Sequence, residues 1–130
     1  MTVQELFNQT IGMMGMIQAN ATTYVDAFPQ QVNTVLAECF TLENNNREFK
    51  GIAVLTAIPK VTGMTDILTY QDELTLTMTY GLAMYLALSD DDTIKAGFFN
   101  GQYVDERAKA GKMIKKSITD YFSAEDETLL

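Results

Sequence analysis

Apolar residues recur at three- and four-residue spacing along most of this chain, and breaks in that rhythm divide it into four helical segments and one aperiodic stretch. The first segment opens on Thr2-Val-Gln-Glu5, a capping box in which the Thr2 side chain accepts from the third amide and Glu5 reaches back. Leu6, Phe7, Thr10, Ile11, Met13, Met14 and Ile17 then predict a helix to about Ile17. Gly12 and Gly15 weaken it by roughly 1 kcal/mol each relative to Ala, and mark either a close backbone approach or a fraying end. After a turn at Asn20–Thr23, a second stripe runs through Val25, Phe28, Val32, Val35, Leu36, Cys39 and Phe40. Pro29 suits the first turn of a helix starting near Phe28. The expected end is Glu43, because Asn44-Asn-Asn46 supplies turn chemistry.

Residues 47–71 break the pattern. They mix apolar side chains with Gly51, Pro59 and Gly63, and Ile52–Ile58 predicts a short strand, paired in a hairpin with Val61–Met64. A connection of this length is normally functional or disordered, and this one holds too much Ile, Val and Leu for disorder. It is expected to pack on its own body or on a neighbour.

An amphipathic third helix is predicted from Asp72–Glu73, acids favourably placed at a helix start, with Leu74, Met78, Gly81, Leu82, Tyr85 and Leu86 facing inward. The Thr75, Thr77, Thr79 alternation also fits a strand, but the helical stripe continues to Leu86. Ser89-Asp-Asp-Asp92 then ends that helix and caps the next through Asp91 or Asp92. The last helix is predicted at about 30 residues, roughly 45 Å. Its inner stripe is Ala96, Phe99, Tyr103, Ala110, Met113 or Ile114, Ile118 and Tyr121, and Gly97, Gly101 and Gly111 bend it or admit another helix. The pattern predicts a mainly α fold: a small bundle of about four helices with a long irregular or hairpin-containing loop between helices 2 and 3. One helical domain over 1–122 is followed by an acidic C-terminal tail, 123–130.

Composition narrows the function classes. The chain has 130 residues, enough to bury a core without disulfides or metals. With 47% hydrophobic residues it reads as globular, and no run approaches a membrane span. The opening MTVQELFNQT has no basic region, so no signal peptide is expected. Cys39, the one cysteine, reads as a buried thiol compatible with a reducing cytoplasm. The net charge of −8 disfavours a free-standing DNA binder, which needs a basic footprint, but does not exclude a protein that lets DNA pass without gripping it. Five of the nine Lys and Arg residues lie between Arg107 and Lys116, while acids gather at 90–92 and at Asp120, Glu125, Asp126 and Glu127. Such polarity suits head-to-tail contacts between copies, with Arg107, Lys109 and Lys112 meeting an acidic face.

Catalytic chemistry is missing. There is no His, no phosphate-binding or dinucleotide glycine motif and no nucleophile elbow, so an enzyme is not expected. A His/Cys zinc site is excluded, and Asp90–Asp92 lacks the interleaved Gly and later bidentate Glu of a calcium loop. No metal and no cofactor is expected. The eight methionines serve core filling or adaptable contacts.

Tyr70-Gln-Asp72-Glu73-Leu74, Thr79-Tyr80-Gly81-Leu82-Ala83, the acidic break Asp90–Asp92 and the spaced Ala96…Phe99…Tyr103 together resemble the phage head–tail connector (neck adaptor) proteins. In element order the likeness spans roughly 1–122, and its specific words lie within about 70–103. The resemblance implies a helical, homo-oligomeric ring, usually of twelve copies, between the portal and a stopper or tail protein. Double-stranded DNA passes non-specifically through its centre. It further implies a virion neck location, with assembly in the host cytoplasm and no membrane. Carried onto this chain, portal docking falls on the terminal segment, at Tyr121, Phe122, Leu129 and Leu130. Inter-subunit contact falls on the aperiodic stretch, at Phe49, Ile52, Val54, Ile58, Val61 and Met64. The alternatives are a small helical nucleic-acid-binding packaging or regulatory protein using Arg107–Lys116, and a generic helical interaction domain.

Overall fold

A computed structural model describes residues 1–16 and 21–109. Five α-helices are present among them: α1 (Val3–Met13), α2 (Phe28–Glu38), α3 (Phe40–Lys50), α4 (Thr75–Ser89) and α5, which covers 93–109. Short 3₁₀ turns stand at Thr22–Tyr24 and Asp72–Leu74. The fold is mainly helical, and the described residues contain no β-strand, only an isolated antiparallel bridge between Thr2 and Ile67.

The expected second helix is two helices. Cys39 leaves helical geometry at φ −100°, ψ 4°, and α3 continues straight through Asn44–Asn46 to Lys50. Asparagines end helices when their side chains bond locally. Here Asn44 finds a partner at Leu55 in the loop and Asn46 one at Glu73 in the following 3₁₀ turn, so the turn preference is overridden.

Helix α1 stops at Met13, short of Ile17, which lies outside the described residues. Gly15 takes φ +73°, its N–H reaches the Gly12 carbonyl, and the Met16 N–H reaches that of Ile11. This is a Schellman stop. Helix α3 ends the same way at Gly51 (φ +74°), with Gly51 bonded to Glu48 and Ile52 to Arg47. At the other end of α1, the Thr2 hydroxyl accepts from the Glu5 N–H at 3.1 Å, and Glu5 returns to that hydroxyl rather than to the Thr2 backbone.

Helix α4 corrects a second expectation. It begins at Thr75, one turn after Asp72–Glu73, and it is not amphipathic. Nine of its fifteen residues are buried, including Thr77, Thr79, Met84 and Ala87, outside the predicted inner face. It is the central helix, packed by α1 and α2, with the Tyr103 ring of α5 against its Gly81. The Thr79 hydroxyl donates to the Thr75 carbonyl at 2.8 Å, and buried Thr10 likewise to Leu6, so the threonines enter the core without orphaned hydroxyls.

The core is one cluster that includes Leu6, Phe28, Val32, Leu36, Leu82, Leu86, Phe99 and Tyr103. Phe7 meets Phe28 edge-to-face, centroids 4.9 Å apart. Ala96, Phe99 and Tyr103 are buried as the stripe predicts; Ala110, Met113, Ile114, Ile118 and Tyr121 lie outside the described residues. Asp92 caps α5, accepting from the Lys95 N–H at 3.1 Å, while Asp91 takes a left-handed φ of 55° and Asp90 accepts from the Tyr24 hydroxyl.

Candidate interaction surfaces

Residues 51–71 form no strand, and the predicted hairpin of Ile52–Ile58 with Val61–Met64 is absent. Several of the backbone groups that a neighbouring strand would pair are met by side chains instead. Asn44 accepts from the Leu55 N–H at 2.8 Å and donates to the Leu55 carbonyl at 3.0 Å. Asn33 does the same to Val61, at 2.7 and 2.9 Å. One planar amide thus offers each loop residue what a strand partner would.

Arg47 adds a third tie. Its guanidinium donates to the Ala53 and Thr69 carbonyls and, through Nε, to Glu43 at 2.5 Å. The Glu43 carboxylate is fully buried, and its other oxygen accepts from the Gln71 N–H at 2.8 Å. Farther along, Asp66 accepts from the amides of Thr62 and Gly63, which hold its carboxyl below the usual carboxylate range. The carbonyls of Met64 and Asp66 then take the first free N–H groups of α1, at Gln4 and Val3. The Tyr70 hydroxyl donates to the Leu36 carbonyl. The loop is a built part of the molecule.

That frame sorts the residues expected at an inter-subunit contact. Phe49, Ile52, Val54 and Ile58 are exposed, each at 41–52%. Val61 is buried and Met64 half-buried against the core, so both serve this chain's own packing. The Arg107 guanidinium lies 4.8 Å from the centre of the Tyr103 ring, and Lys109 pairs with Asp105 (3.2 Å) and Glu106 (3.5 Å). Both bases are thus engaged on their own helix. Lys112, Tyr121, Phe122, Leu129 and Leu130 lie outside the described residues.

A second exposed apolar surface went unread in the sequence. Ile94 is 87% exposed, Phe98 61% and Val104 52%, all on the side of α5 away from Ala96, Phe99 and Tyr103. Gly97 and Gly101 lie between them, and a Cβ built on either meets nothing within 4 Å. The signal was available: 94, 97, 98, 101 and 104 recur at helical spacing opposite the buried stripe.

Glu38 accepts from the hydroxyls of Tyr85 (2.9 Å) and Tyr103 (3.1 Å), linking α2 to α4 and α5. Burial, with Glu38 adding to it, pushes the Tyr85 hydroxyl up to about 12. Burial likewise raises Tyr103 and the enclosed Cys39 thiol, the opposite of what activates a nucleophile. Among the described residues, no group of His, Cys, Asp and Glu is placed to hold a metal, and no helix is long and apolar enough to cross a membrane. Comparison with protein-family models, with curated proteins and with solved structures gave no match.

Proposed function

We propose that this chain is a structural virion protein, a head-to-tail adaptor of the phage neck. In this reading it forms a ring, usually of twelve copies, between the portal and a stopper or tail protein. It assembles in the host cytoplasm, and double-stranded DNA passes through the ring. One observation carries the reading: Ile52, Val54 and Ile58 are held out to solvent by a loop fastened through Asn33, Asn44 and Arg47, next to exposed Phe49 in the last turn of α3. A fold that fixes an apolar loop without burying it supports a contact with another subunit. The likeness of Tyr70–Leu74, Thr79–Ala83 and Ala96…Phe99…Tyr103 to neck adaptors points the same way. Within the reading, the net charge of −8 lets DNA move through without being gripped. Portal docking is assigned to Tyr121, Phe122, Leu129 and Leu130, and no catalytic step is assigned. A nucleic-acid role for Arg107–Lys116 is less well supported, because Arg107 and Lys109 are already engaged with Tyr103, Asp105 and Glu106.

Negative-stain electron microscopy of the protein, alone and co-expressed with its portal, tests the proposal. The expected image is a ring with a central hole, free or stacked on the portal. Compact single particles in both samples would reject the adaptor and leave a helical interaction domain.

A further inference from the structure

The ring reading requires each copy to present two different faces, because a closed ring joins head to tail. Resting on that reading, we infer that the loop face of one copy docks on the outer stripe of α5 of the next, the occupant being a second copy of this chain. Both surfaces are apolar and exposed, and one of them leaves room at its glycines. Phe49 in the last turn of α3 and Ile52, Val54 and Ile58 on the fastened loop are exposed apolar side chains, whereas α5 offers an open strip at Gly97 and Gly101 flanked by Ile94, Phe98 and Val104. Without a Cβ at these two positions, a neighbour's side chain can reach the helix backbone.

Charge sets the direction of docking. Lys60, two residues beyond Ile58, makes no ion pair among the described residues. The Ile94 end of the stripe follows Asp90, Asp91 and Asp92, three acids against the single base Lys95. Docking Ile58 near Ile94 therefore brings Lys60 of one copy to the acidic turn of the next. Exposed charges of this kind add little affinity but fix orientation. A contact of the loop face with itself would bring Lys60 of both copies to the same apolar surface, like charge on like.

The test uses the full chain and two variants, Ile58→Asp and Phe98→Asp, with mass read by light scattering and fold checked by melting temperature. Both positions are exposed, so each variant should stay folded, with Phe98→Asp melting slightly lower because it loses the edge-to-face contact with Phe99. The parent is expected to assemble, and each variant alone to lose assembly by about tenfold or more in apparent affinity. Mixing the variants should restore a one-to-one pair, since the mixture holds one intact loop face and one intact α5 stripe. A Phe98→Asp chain that assembles like the parent, or a mixture that stays monomeric beside an assembling parent, would overturn the docking while leaving the ring intact. A parent that is monomeric both alone and on its portal would overturn the ring and the docking together.

Discussion

Gly81 of α4 and Tyr103 of α5 are in direct contact: a Cβ built on Gly81 would fall 2.8 Å from Cε1 and Cζ of the Tyr103 ring. The ring is buried and its hydroxyl reaches Glu38 of α2 at 3.1 Å, so one tyrosine ties three helices through a site that only glycine leaves open. Gly81→Ala should therefore destabilise the protein by about 1–3 kcal/mol, by overpacking. Tyr103→Phe keeps the ring, loses the hydroxyl bond, and should cost about 1 kcal/mol. Urea unfolding decides. A Gly81→Ala chain as stable as the parent would show that α5 can slide off α4 without loss.

The buried Glu43–Arg47 pair should behave as a unit. Glu43→Ala leaves the Arg47 guanidinium unpaired and the Gln71 N–H without its acceptor, and should cost about 3–5 kcal/mol. Glu43→Gln retains an acceptor for Gln71 and should lose less. Equal losses in the two variants would mean that the charge, not the acceptor, is what matters.

The asparagine ties predict local effects. Asn44→Ala should cost about 1–3 kcal/mol and speed hydrogen exchange at the Leu55 amide, leaving the Val61 amide protected by Asn33. Asn33→Ala should give the reverse pattern. Exchange rising at both amides in either variant would mean that the loop opens as one piece.

Acid should loosen the Thr62–Asp66 turn. The Asp66 carboxyl is held below its ordinary range by the Thr62 and Gly63 N–H groups, so its folded value is lower than its unfolded one. Its stabilisation is complete above the unfolded value of about 3.9 and is lost as pH falls through the lower folded value. Protection of the Thr62 and Gly63 amides should thus hold from neutral pH down to about 4 and decline below it. With Asp66→Asn that decline should vanish. A titration by NMR placing the Asp66 carboxyl at or above the ordinary range would contradict the turn.

Cys39 should be silent in the native protein. The thiol is fully buried and burial raises its pKa, so both access and thiolate are lacking. Ellman's reagent at mildly alkaline pH should label it only on unfolding; prompt labelling of the folded chain would place the α2–α3 junction at the surface.

Much of this was legible in the chain itself. The helical class, the Thr2 start of α1, the α2 stripe from Phe28 and the inward Ala96, Phe99 and Tyr103 follow from local capping and periodicity, which neighbours do not change. Four matters belonged to tertiary structure. The helix ran on through Asn44–Asn46 because the Asn44 and Asn46 side chains found partners at Leu55 in the loop and at Glu73. The apolar run Ile52–Ile58 formed no strand because Asn44 and Arg47 took the backbone groups that a strand would have paired. Helix α4 became central rather than one-sided because α1 and α2 both pack on it and the Tyr103 ring of α5 closes on its Gly81. Of the apolar residues expected at a subunit contact, Val61 turned inward while Phe49, Ile52, Val54 and Ile58 stayed out. A residue's spacing fixes which neighbours share its face. Whether that face is covered depends on segments tens of residues away, and only the folded chain brings them there.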